Sequence, residues 1–233
     1  MNHAGGRTAK HLGGRFADPR VQRLLLGDWG VLIRDPIDVL RAALLIGAVA
    51  MLATGDWNAA LRLFGTFALT VLARVISLPR PFDLAFVVGM SFQGWGNALD
   101  LFGAWDGYDK VVHFVLPAAM APMLYILLAR LDAVPDLTED THRRQHLGIF
   151  IVSMALGMTV GVGYEMYEYA VVKFLGANLQ IGYGDTIGDL VDDAFGSALG
   201  AGLLILWAER GWQAIRRVPA AQIESDAEGD DTG

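Results

Sequence analysis

The fold class the sequence predicts is all-α: a polytopic integral membrane helix bundle of about six transmembrane helices, with both termini cytoplasmic. Three observations predict it. The chain of 233 residues is 54% hydrophobic and only 18% charged, with mean hydropathy +0.39, too apolar for an ordinary soluble domain of this size. Six apolar stretches approach the ~20 helical residues that a bilayer core of ~30 Å requires. Lys and Arg fall predominantly on one side of those stretches, as they do in cytoplasmic loops.

Residues 1–36 read as a basic N-terminal arm. "MNHAGGRTAKHLGGR" is Gly-rich, and no apolar run follows it directly, so it does not read as a cleaved signal peptide. "VQRLLLGDWGVLIRDP" sets Leu24, Leu25, Trp29, Leu32 and Ile33 among charges, the pattern of an interfacial amphipathic helix. Residues 37–210 form the membrane domain, with spans at 37–54, 59–78, 83–104, 109–130, 147–172 and 188–208. Residues 211–233 read as an acidic, disordered tail, carrying Glu224, Asp226, Glu228, Asp230 and Asp231.

Charge sets the orientation. Arg7, Lys10, Arg15, Arg20, Arg23, Arg34 and Arg41 precede or open the first span. Arg80, Arg130, Arg143, Arg144, Arg210, Arg216 and Arg217 lie at the ends that share its side, whereas Lys110 and Lys173 fall on the opposite, outer side. Trp57, Trp95 and Trp105 are expected at the interfaces, where aromatic belts form. No basic, aromatic-interleaved patch offers itself to nucleic acid. With no cysteine in the chain, thiolate metal sites and catalytic thiols are excluded.

This topology gathers ionisable residues in the outer half of the bundle. Asp109, Lys110 and His113 open the fourth span. Asp100 ends the third. Glu165 and Glu168 lie in the outer half of the fifth, and Asp185, Asp189, Asp192 and Asp193 open the sixth. Asp109 and His113 are one turn apart on one face. Gly157, Gly161, Glu165 and Glu168 align on the fifth span, as do Asp189, Asp193, Gly196 or Ser197, and Gly200 on the sixth. Small residues four apart let membrane helices approach closely, so the carboxylates should continue the packing faces and point into the bundle. Gln93, Asn97 and Asp100 stripe the third span, and Arg62, Thr66, Thr70 and Arg74 the second. Asp185 is expected to cap the sixth helix.

Three segments in this order, "YDKVVHF", "YEMYEY" and "DTIGDLVDDAFGSALG", resemble the YjdF-like inner-membrane proteins and, more distantly, the VanZ-like family. The VanZ-like pattern has Asp-Lys-x-x-His, matched by Asp109, Lys110 and His113. It has a glutamate on a middle helix, matched by Glu165. It closes with Asp-x-x-x-Asn-x-x-Gly-x-x-x-Gly, matched by Asp189, Gly196 and Gly200, but with Asp193 in place of Asn. Glu168 stands where those proteins often have Gln, and the arginine that often precedes their last helix has no counterpart. The resemblance covers roughly residues 83–205. It implies a multi-pass protein of the inner or plasma membrane and carries no established activity.

Four readings of the polar residues follow. In the first, an outward-facing pocket of Asp109, Lys110, His113, Glu165, Glu168, Asp189 and Asp193 binds a lipid head group or cell-envelope precursor. Lys110, His113 and Arg62 would meet phosphate, and the acids would hold hydroxyls or amines. In the second, His113, Glu165, Asp189 and Asp193 hold a divalent metal such as Mg, Mn or Zn, and a membrane hydrolase acts on a phosphoester-type lipid. His113, Glu165 and Asp189 are its candidate catalytic residues, with His113 oriented by Asp109 as a general base. The third is an ion or proton path, disfavoured because the inner half offers Arg74 and few acids. The fourth is a purely structural cluster that locks the bundle, with Lys110 paired to Asp109 or Asp189 and Glu165 meeting a donor on the fourth span. His142 and His146 read as solvated loop residues.

Overall fold

A computed structural model describes residues 36–75, 78–131, 133–135, 143–176 and 182–209. The basic arm with its interfacial helix, His142 and the acidic tail lie outside these residues. Everything described is helix or connection: α1 Pro36–Ala53, α2 Trp57–Val75, α3 Arg80–Ala98, the single turn α4 Leu101–Ala104, α5 Tyr108–Arg130, α6 Arg143–Leu175 and α7 Tyr183–Glu209. Four of them, α1, α5, α6 and α7, are long and apolar enough to cross a membrane. The helices α2 and α3 have 19 residues each but a more polar composition.

Local chemistry explains the boundaries. Gly55 has φ +88° in the turn between α1 and α2, a conformation that suits a residue without a Cβ. Pro81 sits in the first turn of α3, where its missing N–H would have lacked a helical partner in any case. The third apolar stretch does not run unbroken to residue 104. Leu99 and Asp100 form a turn, and Asp100 adopts left-handed backbone with φ 55°, which aspartate tolerates better than most residues. Apolar residues on both sides concealed this break. At the sixth span the cap expectation also fails. Helix α7 begins at Tyr183, so Asp185 lies within its first turn. There it still meets the positive end of the helix dipole.

The helices fall into two groups. The first comprises α1, α2 and α3; the second comprises α5, α6 and α7; α3 packs on α5 and joins them. In the second group, α7 lies in tight contact with both neighbours. A Cβ at Gly196 or Gly200 would collide with the carbonyl oxygens of Phe114 and Ala118 on α5. Pro122 deprives the Ala118 carbonyl of its helical N–H, and Gly200 covers that oxygen closely. On the other flank, Gly157 and Gly161 of α6 accept Ser197 and Asp193 of α7. The small-residue faces expected from sequence are therefore the packing faces, and they carry the acids inward.

One tryptophan departs from its expected interfacial place. Trp57 and Trp105 are exposed, but Trp95 is half-buried beside Leu44, Ala48 and Leu63, with its ring against Gly47. A gap in α1 at Gly47 makes room for it.

Candidate functional site

Helices α5, α6 and α7 bring six of the seven sequence-selected residues together: Asp109 and His113 from α5, Glu165 and Glu168 from α6, and Asp189 and Asp193 from α7. His113, Glu165, Glu168, Asp189 and Asp193 are buried, and Asp109 is half-buried toward the mouth. Lys110 is exposed and makes no ion pair among the described residues. The Lys110 pairing with Asp109 or Asp189 that the locking reading expects is therefore not among the contacts of the described residues.

His113 is the centre. Its Nδ1 lies 3.1 Å from Asp193 Oδ1. That is hydrogen-bond distance, and a protonated Nδ1 would donate to this carboxylate oxygen. Its Nε2 then faces the remaining acids, 3.7 Å from Asp109 Oδ1 and 3.8 Å from Glu165 Oε1. Both distances exceed a normal hydrogen bond. Neither His113 Nε2 nor Glu165 Oε1 has a hydrogen-bond partner among the described residues, nor does Asp193 Oδ2. Buried polar atoms are seldom left so.

Gly161 makes this geometry available. The Asp193 carboxylate occupies the space that a Cβ at Gly161 would fill. Asp193 can therefore stand behind His113 without forcing α6 and α7 apart. Ser197 and Ser153 lie buried in the same group of helices, and their hydroxyls also lack partners among the described residues.

Two sets of three residues have ligand atoms mutually within 4.8 Å: Asp109, His113 and Asp189, and His113, Glu165 and Glu168. They share His113. Metal–ligand bonds of about 2.0–2.2 Å place neighbouring ligand atoms roughly 3–4 Å apart. The gaps around Nε2 are of that size. Asp193 then takes the place of the outer carboxylate that fixes a metal-bound histidine by its other ring nitrogen.

Polar groups continue from His113 toward α3 and α2. Tyr164 packs its ring edge-on against His113 with centroids 5.4 Å apart. Its hydroxyl accepts a hydrogen bond from Gln93 Nε2 at 2.8 Å. Asn97, one turn beyond Gln93, accepts from Arg62 Nη1 at 3.0 Å. A cavity between His113, Gln93, Tyr164, Gly161 and Asp193 has room for about one water-sized group.

Residues 37–210 match the family described as "Predicted membrane protein (DUF2238)". The chain belongs to this family. The matched region contains every residue of the cluster, and the chain is a multi-pass membrane protein. No curated protein and no solved structure matches it.

Two features of this DUF2238 chain escaped the sequence. Tyr164 sits within "YEMYEY" but was masked by the glutamates beside it. Its i,i+4 relation to Glu168 was the available signal. The second is a separate charged network at the far end of the bundle. Arg41 donates from Nη1 to Asp38 at 2.7 Å, from Nε to the Thr70 carbonyl at 3.1 Å, and from Nη2 to Asp83. Arg74 Nε lies 3.3 Å from Asp38. That end of the bundle thus holds two buried acids, Asp38 and Asp83, beside Arg74. They are paired with arginines on α1–α3 rather than aligned with His113.

Proposed function

We propose that the α5–α6–α7 cluster is a divalent-cation centre, and that this chain is a metal-dependent protein of the inner or plasma membrane. The observation that carries the reading is His113 Nε2, buried and without a hydrogen-bond partner among the described residues, facing a Glu165 Oε1 in the same state, with Asp109, Glu168 and Asp189 around them. Five carboxylates beside one imidazole favour neutralisation, by bound protons or by a cation. A divalent cation supplies it and satisfies both orphaned atoms at once. One nitrogen with several carboxylate oxygens suits Mg or Mn, and Zn less well.

His113, Asp109, Glu165, Glu168 and Asp189 would hold the ion, with Asp193 orienting His113. The ion would supply Lewis-acid polarisation or activation of a bound water. The surrounding acids would accept a proton released there.

With six spans and cytoplasmic termini, the cluster would lie in the outer leaflet. The Lys and Arg bias favours it, and exposed Trp57 and Trp105 lie at the same end as the cluster. The YjdF-like resemblance is compatible with this reading and adds no activity to it.

Elemental analysis of detergent-purified protein tests the proposal. Near-stoichiometric divalent metal is expected in wild type, and strongly reduced metal in Glu165→Gln and Asp189→Asn. Equal, trace-level metal in all three would refute it.

A further inference from the structure

The small cavity beside His113 has walls from four helices: Gln93 of α3, His113 of α5, Gly161 and Tyr164 of α6, and Asp193 of α7. Gln93 donates from Nε2 to the Tyr164 hydroxyl at 2.8 Å. Its Oε1 is buried and has no hydrogen-bond partner among the described residues. Asp193 is only 1% exposed. Its Oδ1 lies 3.1 Å from His113 Nδ1, and its Oδ2 has no hydrogen-bond partner among the described residues. That Oδ2 lies over Gly161, where a Cβ would stand, and Gly161 is itself part of the cavity wall. The Tyr164 hydroxyl accepts from Gln93 and retains its own proton to donate. Two acceptors and one donor thus belong to residues that border a space for about one water-sized group. Exchanging the Gln93 amide oxygen and nitrogen would still leave one amide atom over.

We propose that this cavity binds one ordered water, which donates to Gln93 Oε1 and Asp193 Oδ2 and accepts from the Tyr164 hydroxyl, and that Gln93 is thereby a positioning residue for the Asp193 carboxylate beside His113. The walls select the occupant. Two acceptors call for a species with two protons to give, and the tyrosine calls for a lone pair on the same atom. Water has both and fits the space. Buried waters typically make about three hydrogen bonds to groups that would otherwise go unsatisfied, and three are on offer here. An apolar cavity can stay dry, but this one would strand two buried acceptors. The consequence is local and specific. Asp193 is held on both oxygens, Oδ1 by His113 and Oδ2 by the water. The link reaches α3, the helix that joins the two groups of the bundle. It acts on the far side of the ring from Nε2, through Asp193, and holds with or without a cation at Nε2.

A crystal structure of the full chain, at a resolution that shows ordered water, tests the occupant. One peak is expected about 2.6–3.2 Å from Gln93 Oε1, Asp193 Oδ2 and the Tyr164 oxygen. An empty cavity in a map that shows other buried waters overturns the proposal. So does a peak only about 2.0–2.6 Å from those oxygens, which marks a metal cation. The same structure of Gln93→Met, which keeps the length of the side chain and removes its acceptor, should lack the peak. A peak retained there on Asp193 and Tyr164 overturns the role given to Gln93. A double-mutant cycle in nanodiscs, read by melting temperature, tests the positioning. Groups in one hydrogen-bond network are not additive, so Gln93→Met with Asp193→Ala should lower the melting temperature by less than the two single drops together. A drop equal to that sum or larger overturns the link between Gln93 and Asp193.

Discussion

The two charged clusters of this bundle are built on opposite principles. At one end, Asp38, Arg41, Arg74 and Asp83 balance two acids with two bases, and each charge has a close opposite partner. At the other end, Asp109, Glu165, Glu168, Asp189 and Asp193 surround a single imidazole, and three of the buried atoms have no hydrogen-bond partner among the described residues. Both lie between helices in a membrane, where an unmatched aspartate at a helix centre costs about 2.5–3.5 kcal/mol. The first cluster meets that cost from within and needs nothing more. The second does not, and on the metal-centre proposal a cation makes up the difference. On that proposal charge balance, rather than burial or the presence of acids, separates the structural lock from the site.

The largest effect should come from breaking the balanced cluster. Arg41→Ala would leave Asp38 and Asp83 buried without their shared partner, a change that destabilises by about 3–5 kcal/mol in comparable buried pairs. Its melting temperature in nanodiscs should drop steeply whether or not metal is present. The unbalanced cluster should behave in the reverse way. Glu165→Gln removes one of several crowded like charges, so metal-free protein should lose no stability and gain slightly. The same variant should bind Mn²⁺ at least a hundredfold more weakly by titration. A marked fall in metal-free melting temperature would place Glu165 in a lock like that of Arg41.

Smaller effects sharpen the contrast. Asp193→Asn should weaken metal binding about 10–100-fold, as loss of the partner behind a metal-bound histidine does elsewhere. Gly161→Ala should weaken it by a similar factor although alanine adds no charge, because its Cβ claims the space of the Asp193 carboxylate. Unchanged Mn²⁺ affinity in Gly161→Ala would contradict the positioning role given to Asp193. At the bottom of the scale stands His146, whose Nδ1 lies 3.3 Å from the exposed Glu209 carboxylate. His146→Gln should change stability by less than about 1 kcal/mol, measured by the same thermal assay.

Much of the unbalanced cluster was legible in the sequence because helical spacing places acids on glycine faces. Asp109 and His113 are i,i+4. Gly157, Gly161 and Glu165 continue one stripe, and Asp189, Asp193 and Gly200 another. The packing geometry then had little freedom to send those acids elsewhere. The balanced cluster was not legible. Arg41 reads as the last member of a basic arm, and Asp38 and Asp83 each stand in the first turn of a helix, where acids are favoured without any long-range partner. Arg41 and Asp83 meet across 42 positions, and no local period reports such a contact. The break at Asp100 was hidden for a related reason. Leu99, Leu101 and Phe102 sustain the apolar pattern through a turn that only the backbone shows.

The most direct measurement is the thermal unfolding of wild type and Glu165→Gln in nanodiscs, each with chelator and with excess Mn²⁺. A ligand that binds only the folded state stabilises it by about 2.7 kcal/mol at a hundred times its Kd. The account predicts a clear upward shift for wild type on adding Mn²⁺, little or none for Glu165→Gln, and a Glu165→Gln melting temperature in chelator at or above that of wild type. A wild-type transition indifferent to Mn²⁺, together with a destabilised Glu165→Gln in chelator, would contradict it and make both charged clusters structural.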